Sequence, residues 1–157
     1  MKVNLDSIVV NTEMQVTPLA SSEGRSHTAS VDDLLIDVYK LIHLSEDLPI
    51  QEVLVSTLEA ALERKCWTDI NGDRISPNDV ILAMIETGDL QTSIAQNPEL
   101  AQHMSQMASA DYSHPILIYD GHVIDGVHRL AKAKIELRST IKARVLGKIP
   151  EKALVEK

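Results

Sequence analysis

The apolar positions follow a helical rhythm through the middle of the chain and change to a strand-like one after Ala110-Asp111-Tyr112-Ser113. Val3, Leu5 and Ile8 to Val10 cluster as a short first strand closed by Asn11-Thr12. Residues 17 to 30, with Pro18, Gly24 and four serines, read as a mobile loop. From Val31, the spacing of Leu34, Leu35, Val38, Leu41 and Ile42 predicts a helix with Ser30 as its N-cap. Beyond Pro49, Val53, Leu54, Thr57, Leu58, Ala61 and Leu62 predict a second helix, packed on the first as a hairpin. Ser76-Pro77 and Asn97-Pro98 are helix-start signals. The first helix they predict stops before Gly88, and the second carries Leu100, His103, Met104 and Met107 on one face. A histidine on such a face is expected to be packed or hydrogen-bonded rather than a ligand.

After residue 110, Pro115 to Tyr119 is an apolar run too short for a helix. Asp120-Gly121 is a two-residue hairpin signal, and His122-Val123-Ile124 returns as its partner strand. A helix is expected from about Val127, with Leu130, Ala131, Lys134 and Leu137 on one face, followed by a strand over Thr140 to Leu146. These elements add up to one α+β domain over residues 1–157: a small mixed β-sheet with packed helices and a helical insertion at about 31–109.

Composition narrows the function. Phe is absent and aromatics are 3% of the 157 residues, so the core is aliphatic and base-stacking platforms are scarce. The net charge of −8, from 23 acidic and 15 basic residues, opposes binding to duplex DNA or an acidic membrane. No run approaches the roughly 20 apolar residues of a membrane span, and the start lacks a signal-peptide stretch; a cytoplasmic protein is expected. Cys66 is the single cysteine, expected as a buried thiol at a helix end, and a zinc site of several thiolates is ruled out. Asp69, Asn71 and Asp73 open like a calcium loop. Arg74 and Val80 stand where that loop needs Gly and a bidentate Glu, so a polar turn is expected and no metal site is assigned.

The segment richest in chemistry is Val123-Ile124-Asp125-Gly126-Val127-His128-Arg129, where a strand passes through glycine into a helix. The first N–H groups of a helix have no intrahelical partners and carry the positive end of the macrodipole, so they attract anions. Gly126 and Val127 would present main-chain donors there, and His128 and Arg129 would add charge-assisted ones. Each residue also has a structural reading. Asp125 can cap the helix, Gly126 can make the turn, and Arg129 can pair with a carboxylate.

Residues 114–146, and more weakly 3–10, resemble the ParB/sulfiredoxin superfamily, whose Gly-x-His-Arg-like turn binds nucleotide phosphates. Sulfiredoxins carry a cysteine where this chain has Val127, and a hydrocarbon cannot form the thiolate intermediate, so that activity is excluded. ParB proteins continue into a helix-turn-helix domain, whereas eleven residues follow Leu146 here; DNA partitioning is not expected. Kinases of free serine with a similar Asp-Gly-x-His-Arg turn are the third comparison. The resemblance therefore implies ATP, ADP or CTP as ligand with Mg2+, and phosphoryl transfer to a small hydroxyl substrate with Asp125 and Asp120 as catalytic carboxylates and Glu13 as a further candidate base. The alternative is a non-catalytic regulatory or protein-interaction module, with a protein partner, on the same fold.

Overall fold

The computed structural model describes residues 28–31 and 33–155. The expected strand at 3–10, Glu13 and the loop as far as residue 27 lie outside them. Among the described residues, mixed α and β structure forms three small sheets and six α-helices, and no helix is long and apolar enough to cross a membrane.

The central sheet has four strands: β3 (Gln51–Leu54), β8 (Thr140–Leu146), β6 (Ile116–Tyr119) and β7 (His122–Asp125), in that spatial order. β6 and β7 form the expected hairpin. Asp120 and Gly121 both take positive φ at its tip, as a tight primed turn requires. β8 runs parallel to β6, with Ile116 opposite Ala143, and antiparallel to β3, with Val53 opposite Ile141. A parallel neighbour needs a crossover, and α6 (Val127–Ile135) supplies it between β7 and β8.

Because side chains alternate across a strand, the sheet divides its apolar residues between two cores. Ile116, Ile118, Ile141 and Ala143 face a helical layer that includes Met84, Met104, Met107 and Leu130. Leu117, Ile124 and Leu146 face a smaller layer with Ile36, Val38 and Leu41. The helical layer comprises α3 (Pro77–Thr87), α4 (Leu90–Gln96), α5 (Ala101–Ser109) and α6. α3 starts and stops where its signals place it: Ser76 and Asp79 form a reciprocal capping box, and Gly88 ends it in a left-handed conformation.

The first third of the chain departs from its helical spacing. Thr28–Val31 (β1) and Leu34–Asp37 (β2) pair as an antiparallel hairpin, so residues 28–30 are strand rather than loop, and helix α1 covers only Val38–Leu44. Its N-cap is Asp37, which accepts from the Lys40 N–H at 3.1 Å, and not Ser30. The second expected helix is likewise split into β3, a 3-10 turn at Val55–Leu58 and a short α2 (Glu59–Glu63). Pairing with β8 takes up the β3 backbone groups on that side and seats Val53 against the helical core, so the two-helix hairpin does not form. With α2 ending at Glu63, Cys66 lies outside a helix and is exposed rather than buried. Leu137 is also misplaced by its spacing. It follows the end of α6 at φ 60 and is exposed, in a Schellman closure where Leu137 and Arg138 donate to the Lys134 and Ala133 carbonyls.

Candidate functional site

The site is built where β7 hands over to α6. The first bond of the helix is from the Leu130 N–H to the Gly126 carbonyl at 2.9 Å, so the N–H groups of Val127, His128 and Arg129 have no partner within the helix. No side chain caps this terminus and no acidic residue stands in its first turn. Residues 125–128 are half-buried, leaving part of this corner at the surface.

Gly126 adopts φ 102 and ψ 23, a left-handed conformation that side chains avoid. A Cβ at this position would lie 2.4 Å from Ile116 Cγ2 and 2.9 Å from Ile116 Cβ. The expected close approach at Gly126 is thus already used within the fold. It lets the start of α6 press against β6.

Arg129 faces inward. Its Nη1 donates to the carbonyls of His114 and Pro115 at 2.6 and 3.2 Å, and its Nη2 to Asp125 Oδ2 at 2.8 Å. The Arg129 and Asp125 side chains are only 11% and 13% exposed, so this ion pair is largely desolvated. Of its readings, the carboxylate tie is the one the geometry displays. The guanidinium staples the start of α6 to the entry of β6, and Asp125 neutralises it instead of capping the helix.

His128 is turned away from solvent as well. Its Nε2 lies 3.0 Å from His103 Nδ1, and His103 Nε2 lies 2.7 Å from the Thr68 carbonyl. Trp67 stacks on both rings, with centroids 4.5 and 4.3 Å away and interplanar angles of 5° and 13°. Enclosure lowers the His128 pKa from 6.5 to about 3, chiefly because desolvation disfavours the charged form, with His103 and Arg129 adding repulsion. His128 is therefore neutral at pH 7. Val127 packs against the helical core.

The two candidate carboxylates are not brought together. Asp125 ends β7 beside α6, while Asp120 is exposed in the hairpin turn beyond the opposite end of that strand, about 17 Å of extended chain away. Asp69 accepts from the N–H groups of Asn71 and Asp73 and so shapes the turn between β4 (Trp67–Thr68) and β5 (Arg74–Ile75). Among the described residues, no three His, Cys, Asp or Glu side chains are grouped to hold a metal ion. The donors at the start of α6 suit a phosphate; the carboxylates, one paired and one remote, do not suit a shared magnesium.

Trp67 and His103 were not legible as parts of this corner. They lie on a hairpin and a helix remote in sequence from His128, and no local spacing links them. No family model, curated protein or solved structure matches the chain.

Proposed function

We propose that this chain is a ParB/sulfiredoxin-like domain that binds the phosphates of a nucleotide, ATP, ADP or CTP, on the main-chain donors that open α6, and that it works as a regulatory module. The observation that carries this reading is the uncapped helix start at left-handed Gly126, reached directly from β7 inside a hairpin–helix–strand unit. Three orphan N–H groups at the positive end of a helix form an anion-binding arrangement without any side chain. Arg129 and Asp125 then act as builders that hold those donors in place, and their roles as ligand and catalytic base recede.

Phosphoryl transfer receives less support, because it needs a carboxylate free to orient the attacking hydroxyl and a held cation. Asp125 is paired with Arg129, and Asp120 is a strand's length away. A module that binds a protein partner and no nucleotide is the second reading. It is favoured by the inward turn of both His128 and Arg129, which leaves the phosphate only main-chain donors.

Calorimetric titration of the full chain with ADP, ATP and CTP, with and without Mg2+, tests the proposal. Saturable heat that weakens with added salt is expected, and its absence for all three nucleotides overturns the reading in favour of the second. Incubation with Mg2+, ATP and free serine is expected to yield no phosphorylated product. Phosphoserine formation would restore the phosphotransferase.

A further inference from the structure

The hydrogen-bonded imidazoles beneath Trp67 have a proton inventory that their geometry dictates. A carbonyl only accepts, so His103 Nε2 carries a hydrogen for Thr68. When His103 is neutral its Nδ1 is bare and accepts from His128 Nε2–H across the 3.0 Å contact. When one proton is added, it can enter at His128 Nδ1 while the Nε2 hydrogen passes to His103 Nδ1. The N–H···N bond survives with its direction reversed, and His103 carries the charge. A second proton would leave an N–H on both sides of the contact, with two cations side by side and no lone pair between them.

We propose that the His103–His128 pair is an acid-operated latch that accepts one proton with its hydrogen bond intact and opens on the second, releasing the 67–75 hairpin from α5 and α6. The hairpin depends on this contact for much of its anchorage. Trp67 is buried on both rings, the Thr68 carbonyl is held by His103, and the Ile70 N–H to Glu99 carbonyl bond of 3.1 Å is a further tie. The groups that act on His128 favour opening. Arg129 on α6 contributes a positive charge, β4 contributes only the indole and the Thr68 carbonyl, and α5 contributes His103 itself. Among the described residues no carboxylate acts on His128 to hold a second proton quietly. The latch makes no use of a bound nucleotide.

Trp67 is the single tryptophan of the chain, so tryptophan emission reports on the seating of this hairpin. In an acid titration of the full chain, the emission is expected to shift with a midpoint between pH 6.5 and about 3, ahead of the loss of far-UV circular dichroism. His128→Phe keeps a ring for Trp67 to stack on but cannot take a proton, and should lose that separate step. His103→Gln removes the neighbouring positive charge and should move the midpoint upward by about one pH unit. Equal midpoints in wild type and both variants would overturn the latch. Should the variants not fold, nitrogen-15 spectra of the wild-type imidazoles decide. Nε2-protonated tautomers with a scalar coupling across the N–H···N bond near pH 8 are expected. Two rings titrating independently of each other, with no coupling across the contact, would overturn the proposal.

Discussion

The chain contains two Asp-Gly turns, one at each end of β7, and they differ in almost every physical respect. At Asp120-Gly121 both residues have positive φ, Asp120 is exposed, and a Cβ on Gly121 would meet nothing within 4 Å. At Asp125-Gly126 the glycine is wedged against Ile116 and the carboxylate is tied to a buried arginine. The first turn only reverses the chain. The second joins a strand, a helix and a loop, and it leaves three main-chain donors without intrahelical partners. The same dipeptide therefore marks a dispensable tip and a constrained corner, and the difference lies in what packs around each glycine.

Substitution at the two glycines breaks the comparison most directly. Gly126→Val forces a branched side chain into left-handed backbone and against Ile116, whose own branch at Cβ leaves it no room to swing aside. Unfolding in urea should show a loss of about 4 kcal/mol, combining the conformational penalty with overpacking. Arg129→Ala should come next, at about 3 kcal/mol, because it strands the Asp125 carboxylate in a desolvated site. Asp125→Asn combined with Arg129→Ala should cost less than the sum of the two single changes, a coupling that a double-mutant cycle measures.

Legibility in the sequence follows the same contrast. The β6–β7 hairpin, α3 and the start of α6 were readable because their determinants are local: an Asp-Gly turn, a Ser-Pro start with Asp79 three residues on, a glycine between strand and helix. The segment from 28 to 54 is not legible locally because Val31, Leu34, Leu35 and Val38 fit a helical spacing while their burial is decided by remote partners. β2 pairs with the adjacent β1, but the two bury Val31 and Ile36 against Leu117, Ile124 and Leu146, and β3 completes a sheet whose other strands lie more than sixty residues later. At the site, the residue types at 125–129 were evident but not the directions in which they point. Whether Arg129 reaches outward or back to His114 depends on the loop before β6, and the Trp67–His103–His128 contact is wholly nonlocal.

Acid should discriminate between the two turns as well. His128 has its pKa depressed in the folded protein, so as pH falls below 6.5 the unfolded chain takes up a proton that the folded chain refuses until about pH 3. Stability contributed by the neutral ring is thus intact above 6.5 and drains away across that window, by about 1.4 kcal/mol per pH unit. Between pH 7.5 and pH 5, wild type should lose about 2 kcal/mol more than His128→Phe in parallel urea titrations. Gly121→Ala should have the smallest effect, about 1 kcal/mol from backbone strain alone. Its nucleotide affinity should equal that of wild type, since its turn is at the far end of β7.

The most direct measurement is an amide nitrogen–proton titration of the full chain with ADP. Phosphate held by the start of α6 predicts downfield shifts concentrated on the N–H groups of Val127, His128 and Arg129, saturating together, with Gly121 and its neighbours unmoved. If those three amides stay in place while ADP is added to excess, or if the shifts fall elsewhere on the molecule, the corner at Gly126 is a structural joint and not a binding site.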